Sequence, residues 1–121
     1  MLVTFCIVAL NSEKVLGNLL KNIKNQTFDH SSIEIVLVDG LSHDSTKKIM
    51  QDFKNQNDNS FYDICIYDNP GKTLPCGWNV ALKNYRGDVI LRVDAHATIP
   101  DDFIEKNVNS IISGHDIEIG R

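Results

Sequence analysis

Short runs of β-branched and other apolar residues alternate with helix-spaced segments along the whole of this 121-residue chain, and that alternation constrains its fold more than any other feature. The runs are Val3–Leu10, Ile33–Val38, Phe61–Tyr67 and Val89–Val93, with a last short one at Ile117-Glu118-Ile119. Val3–Leu10 is almost continuously apolar, as a strand covered on both faces must be. Between the runs, Val15, Leu16, Leu19, Leu20 and Ile23 repeat at the spacing of a helix that Ser12 and Glu13 open. Ser42-His43-Asp44-Ser45 supplies capping side chains ahead of a second helix with Ile49, Met50 and Phe53 on one face, which the polar stretch Asn55–Ser60 ends. The turn residues Asp68-Asn69-Pro70-Gly71 precede a third helix, Leu74–Tyr85, whose expected buried stripe is Trp78, Ala81, Leu82 and Tyr85. Pro100 and Asp101-Asp102 start a fourth, with Phe103, Ile104, Val108, Ile111 and Ile112 inward and Ser113-Gly114 at its end. The order βαβαβαβαβ predicts an α/β fold, a mostly parallel sheet with helices on both faces joined by right-handed crossovers. One domain over residues 1–121 fits a chain of this length, which can bury roughly two-thirds of its unfolded surface.

Two acid-terminated runs carry the functional reading. Ile35-Val36-Leu37-Val38 closes on Asp39, and Val89–Val93 closes on Asp94, with His96 two residues further on. The carboxyl ends of parallel strands face the crevice where open α/β sheets bind ligands, so two acids delivered to one edge point to a site. Either acid alone serves equally well as a cap for the next turn. The net charge is −4, from 16 acids against 12 scattered bases, so there is no basic stripe and no nucleic-acid partner is expected. No apolar run reaches the about 18 residues a bilayer requires, and Met1-Leu2 lacks the basic start of a secretory signal. Cys6, Cys65 and Cys76 are an odd count without metal-type spacing. The first two fall in strands and are expected as buried free thiols; Cys76 has no neighbouring base to activate it. These features together predict a cytoplasmic protein.

No Gly-x-Gly-x-x-Gly follows any strand, and Gly71-Lys72-Thr73 lacks the earlier glycine of a phosphate-binding loop. Hydride transfer and ordinary ATP hydrolysis therefore lose support. Asp39 can accept hydrogen bonds from an imide or a ribose. Lys72, in its Pro-Gly-Lys loop, can set a point charge on a diphosphate, and Asp94 with His96 can hold a divalent ion against the same diphosphate. Cleavage of a sugar–nucleotide bond needs this set, because the leaving diphosphate develops charge that must be neutralised. Mg²⁺ asks for only one or two carboxylates beside phosphate oxygens and water, and the imidazole of His96 shifts the preference towards Mn²⁺.

Cys6–Glu13, Asn25-Gln26-Thr27, Val38–Asp44, Asn69–Asn79 and Gly87–His96 together resemble, in order and spacing, the family 2 glycosyltransferases of the GT-A fold. The Arg92-Val93-Asp94-Ala95-His96-Ala97 version is most similar to the succinoglycan-type bacterial exopolysaccharide enzymes. The resemblance implies a Rossmann-like nucleotide-binding half that takes a nucleotide diphosphate sugar, usually a UDP-sugar. The sugar passes, with inversion, to a saccharide or lipid-linked acceptor. Val8, Ala9, Leu10 and Glu13 would line the base and ribose pocket, Asp39 would contact the base, and Lys72 would lie by the diphosphate. Asp94 and His96 would stand where the family has its Asp-x-Asp metal motif. Three departures are evident: His96 replaces the second acid, Leu10 a common tyrosine, and Gly40-Leu41 the usual Asp-Gly. The general base of inverting members comes from a later segment. It is therefore expected beyond Arg121, with the sequence truncated at its carboxyl end and holding no catalytic base of its own. Any membrane association would come through those further segments, at the inner face of the membrane.

Plainer readings stand beside these. His96 can be a loop histidine and Lys72 a solvated lysine; His30, His43 and His115 read as solvated loop residues, and Trp78 as core. Asp101 and Asp102 suit the first turn of a helix, where the dipole favours acids. Asn25-Gln26-Thr27 matches a glycosylation acceptor but reads more simply as the exit from a helix. A rival function is a non-catalytic remnant or assembly module without an acceptor half. A receiver-like signalling domain would need paired acids after the first strand, where Asn11-Ser12 stands.

Overall fold

In the computed structural model, which describes residues 1–112, four parallel strands form one sheet. They are β1 (Val3–Ala9), β2 (Ile33–Asp39), β3 (Asp63–Asp68) and β4 (Val89–Asp94), in the order β3-β2-β1-β4. Helices α1 (Leu16–Lys24), α2 (Thr46–Asn57) and α3 (Leu74–Asn84) connect them, and α4 (Phe103–Ile112) follows β4. The backbone steps outward from β1 to β3 and then returns to the far side of β1. With right-handed crossovers, that reversal sends α3 to the face opposite α1 and α2.

The burial agrees. On one face Val3, Phe5 and Ile7 of β1, with Ile33, Ile35 and Leu37 of β2, pack against Leu16, Leu19 and Ile23 of α1, Met50 of α2 and Ile104 of α4. On the other, Cys6, Val8, Val36 and Val38 meet Ala81, with Trp78 and Val80 at its border. Both faces of β1 and β2 are covered, which explains their unbroken apolar runs.

The third helix packs differently from its apolar periodicity. Its buried residues are Gly77 and Ala81; Leu82 and Tyr85 are exposed. A Cβ on Gly77 would lie 2.3 Å from Val8 Cγ1, so the helix approaches β1 through its smallest residues and its large ones lie to the side. Other boundaries also move. α2 continues to Asn57, whose Nδ2 donates to the Phe53 carbonyl at 2.9 Å. β3 starts at Asp63, while Phe61 is a core residue stacked on His30 at 4.7 Å between ring centroids. His30 is therefore half-buried and not a solvated loop residue; its Nε2 lies 2.9 Å from the Gln26 carbonyl. Leu10 falls outside β1 and is exposed, and Cys65 is only half-buried. The strand expected at Ile117–Ile119, the helix end at Ser113-Gly114 and His115 lie outside the described residues.

The amino-terminal rim of the sheet is locked by a buried carboxylate. Glu34, fully buried, accepts from the Thr4 hydroxyl and the Arg86 amide at 2.8 Å each, and from Arg86 Nε at 2.6 Å. The same guanidinium pairs with Asp63 and holds that carboxyl below the usual carboxylate range. Replacing Arg86 by Ala strands the Glu34 charge, and urea denaturation at pH 7 should register a loss of about 3 kcal/mol. Asp63's share of that difference is present above about pH 4 and disappears as the pH falls through its lowered folded value. The gap between Arg86→Ala and wild type should therefore narrow in acid.

Candidate functional site

All four strands deliver their carboxyl ends to one rim, and β1 lies there between β2 and β4, where the direction of winding reverses. The loops after β1 and before β4 leave to opposite faces, so the rim opens beside β1, the position where doubly wound sheets bind ligands. A cavity of about 250 Å³ occupies it. Val8, Ala9 and Leu10 of β1 and the turn after it form one wall. Lys72 enters from the loop before α3 and Leu74 from the start of that helix, and Asp94, Ala95 and His96 from the end of β4. Six of the sequence-predicted residues, Val8, Ala9, Leu10, Lys72, Asp94 and His96, are thus brought together.

Asp39 is not among them. The register sets Ala9 opposite Asp39 and Val8 opposite Asp94, so the two acids share a rim but project from opposite faces of the sheet. Asp39 is 1 % exposed, and its Oδ1 accepts from Ser42 Oγ at 2.6 Å. Ser42 Oγ in turn accepts from the Asn11 amide at 2.8 Å, and Asn11 Oδ1 accepts from the His43 amide at 2.8 Å. Beside them Thr46 Oγ1 accepts from the Ser12 amide at 2.7 Å, and Asp44 accepts from the Glu13 amide at 3.2 Å. The Thr46 hydroxyl, donating to Asp44, holds that carboxyl below its ordinary range. Asp39 therefore joins the first two βα loops, with its carboxylate engaged by Ser42. Glu13 likewise misses the cavity; it borders an adjoining hollow of about 320 Å³, with Asn11 and Lys14, that shares His96 and Ser12 as walls.

Asp94 and His96 form a compact corner. Asp94 Oδ1 accepts from the His96 amide at 2.9 Å and lies 2.9 Å from ring Nδ1. The amide contact first, and the ring contact second, keep the Asp94 carboxyl below the usual carboxylate range, hence ionised at neutral pH. Its side chain is 49 % exposed and that of His96 72 %, so both can reach a ligand. Among the described residues no third His, Cys, Asp or Glu joins them. A carboxylate and an imidazole fit a divalent ion that takes its other ligands from phosphate and water, and do not fit a closed protein cage.

Lys72 is placed by strain. Asn11, Leu41 and Lys72 are the non-glycine residues with left-handed backbone among those described, at φ of 48°, 62° and 63°, one in each of the first three βα loops. Such residues cluster where surrounding structure over-determines the backbone. Around Lys72 that structure is Asn69, 1 % exposed, whose Nδ2 donates to the Thr73 carbonyl at 3.0 Å while its own carbonyl accepts from the Lys72 amide at 3.1 Å. Sequence reasoning missed Asn69, Ser12, Leu74 and the Ser42 bond to Asp39. The Asp-x-x-Ser spacing of Asp39 and Ser42 is a local side-chain-to-backbone pattern that signals such a turn. Cys6, beneath Val8, is buried and pushed up to about 12, so its thiol stays protonated; Cys76 is exposed. A groove of about 280 Å³ between α1 and α2, walled by Leu20, Ile49 and Phe53, lies away from the strand ends.

Residues 4–121 match the glycosyl transferase family 2 profile. The chain is 30% identical over 108 residues to a dolichyl-phosphate-sugar glucuronosyltransferase of Methanococcus voltae, a match covering 89% of this chain and 33% of that one. It is 34% identical over 97 residues to the poly(ribitol-phosphate) beta-N-acetylglucosaminyltransferase TarS of Staphylococcus aureus, covering 79% and 15%. The structure of a TarS portion in complex with UDP-GlcNAc superposes with a TM-score of 0.77 at 26% identity, over 93% of this chain and 32% of that one. A Pyrobaculum calidifontis mannosyltransferase, solved with GDP-Man and Mn²⁺, shares the fold at a TM-score of 0.80 and 22% identity, over 88% and 31%. The chain thus spans a third or less of the length of these proteins.

Leu41 occupies a left-handed position that costs a β-carbon-bearing residue roughly 1–2 kcal/mol, partly offset by the chain entropy a glycine would lose. Leu41 is 39% exposed, so the contacts its side chain would give up are partial. Leu41→Gly should stabilise the fold by about 0.5 kcal/mol in urea denaturation, without moving the Asp39–Ser42 contact.

Proposed function

The chain belongs to glycosyl transferase family 2, and from that membership and the rim geometry we propose that it is the donor-binding half of a glycosyltransferase using a nucleotide diphosphate sugar, a UDP-sugar in particular. The observation that carries the reading is the convergence of Val8, Ala9, Leu10, Lys72, Asp94 and His96 on one cavity at the winding reversal. The acceptor is a saccharide or a lipid-linked saccharide of cell-surface polysaccharide synthesis, and transfer inverts the anomeric centre. The enzyme works in the cytoplasm, at the inner face of the membrane. Among the described residues no helix is long and apolar enough to cross a membrane.

In this reading the acceptor oxygen forms a bond to the anomeric carbon as the bond from that carbon to the diphosphate breaks. The electron pair leaves with the diphosphate, and the acceptor proton goes to a base supplied beyond Arg121. Lys72, on the cavity wall, places a cation where that charge develops. Asp94 and His96 would hold a divalent ion, Mn²⁺ or Mg²⁺, which would supply positive charge to the leaving diphosphate. Val8 and Ala9 form a dry wall for the nucleoside, and exposed Leu10 covers it without the stacking a tyrosine would add. Asp39 serves the donor indirectly, by joining the two loops that frame the β1 end, and Glu13 borders the neighbouring hollow where a sugar or base edge can extend.

UDP with Mn²⁺ should raise the melting temperature, since a ligand selective for the folded state stabilises by mass action. Asp94→Ala should abolish the Mn²⁺-dependent part of the shift. Lys72→Ala should weaken UDP binding by on the order of tenfold, and its effect should shrink with added salt. A protein that responds to none of UDP, GDP or TDP does not hold a nucleotide sugar at this rim.

A further inference from the structure

The segment after the Asp94–His96 corner is fastened to one flank of α1 by amide side chains the reaction itself does not require. Asn18 Nδ2 donates to Thr98 Oγ1 at 3.1 Å, and Asn22 Oδ1 accepts from the Ile99 amide at 3.1 Å. Gln26, 4 % exposed, donates to the Pro100 carbonyl at 2.7 Å and accepts from the Ile104 amide at 2.9 Å. Asn18, Asn22 and Gln26 are spaced by four, so they stack along one face of the helix and its exit. On the strap they grip, burial alternates: Ala95, Ala97 and Ile99 are buried while His96 and Thr98 are exposed. A one-residue slip would exchange the two sets and turn His96 into the core.

We propose that Asn22 is a positioning residue for this corner: by holding the buried Ile99 amide it fixes the register that presents His96, and with it the Nδ1–Asp94 contact, to the cavity. The proposal rests on reading that corner as part of the donor site. Asn22 sits at the middle of the ladder, and its Oδ1 accepts from an amide that is buried with Ile99. Loss of that acceptor leaves the amide unpaired, whereas a carboxylate in its place keeps the bond.

Three variants of this 121-residue chain test the role. Asn22→Asp retains the acceptor, Asn22→Leu removes it at similar volume, and Asn18→Ala loosens the exposed end of the strap with little risk to folding. Two readouts apply: the ring ¹⁵N resonances of His96 without ligand, and the affinity for UDP in Mn²⁺. Asn22→Leu should shift or broaden the His96 resonances and weaken UDP–Mn²⁺ binding by about tenfold or more, as loss of the outer partners of metal ligands does. Asn22→Asp should restore both. If Asn22→Leu does not fold, Asn18→Ala decides, a smaller change of the same kind supporting the proposal and unchanged His96 resonances refuting it. Wild-type resonances in Asn22→Leu, or an Asn22→Asp that behaves like Asn22→Leu, would overturn it. Should no variant bind UDP, wild type included, while His96 still responds to Asn22, the donor-site reading fails and the positioning role stands.

Discussion

Everything at the rim depends on the return of the backbone from β3 across β1 to β4. Because β1 has parallel neighbours on both sides, its carboxyl end has strand ends beside it, and the connections on its two sides depart to opposite faces. The cavity is therefore a consequence of topology before any side chain is chosen. Its depth is set by packing: Gly77 lets α3 come within van der Waals reach of Val8, and Val8 is at once core for α3 and wall for the cavity. A larger residue at position 77 would push α3 and the Lys72 loop at its start away from the strand end. The site and the second hydrophobic layer are in this sense one structure.

The two rims of the sheet solve the same problem differently. Each carries a buried carboxylate on β2, Glu34 at one end and Asp39 at the other, and among the described residues no buried side-chain polar atom lacks a partner. Glu34 is neutralised by a guanidinium and joins three strands into a closed edge. Asp39 has a hydroxyl and amide neighbour instead, so the edge it organises is held by hydrogen bonds and strained turns. The first rim is thus closed over a buried ion pair, whereas at the second the Lys47–Asp68 pair stays on the exposed surface beside the strained turns.

Most of the fold was legible from periodicity because the strands are covered on both sides and the helices α1, α2 and α4 bury conventional stripes such as Leu16, Leu19 and Ile23. It held only in part at α3, where the expected stripe of Trp78, Ala81, Leu82 and Tyr85 kept Ala81 buried and Trp78 at its border, while close contact added Gly77 and left Leu82 and Tyr85 exposed. Periodicity reports which face is apolar but not how close the helix must come. At the carboxyl rim, strand ends and a glycine-flanked lysine sufficed to anticipate that Asp94, His96 and Lys72 line one cavity. The polar residues that order the loops were not legible, since Asn11, Ser12, Asn22 and Asn69 find their partners 4 to 77 positions away or act through backbone groups.

Asp39 and Asp94, two of the three aspartates that end strands at this rim, show what local sequence adds to such a signal. Both terminate apolar runs and both reach the same rim, yet one is enclosed and the other open. The difference lies in the next few residues after each. Beyond Asp39, Gly40 and a left-handed Leu41 fold the backbone back so that Ser42 donates to the carboxylate, and the hydroxyl is then bound by the neighbouring loop at Asn11. Beyond Asp94, buried Ala95 and Ala97 draw the backbone along the core, and the side chain that meets the carboxylate is that of His96, which is itself exposed. An acid answered by a small hydroxyl is sealed into a turn; an acid answered by an exposed imidazole stays accessible. At these two strand ends the residue two or three places on thus separates an enclosed carboxylate from an accessible one.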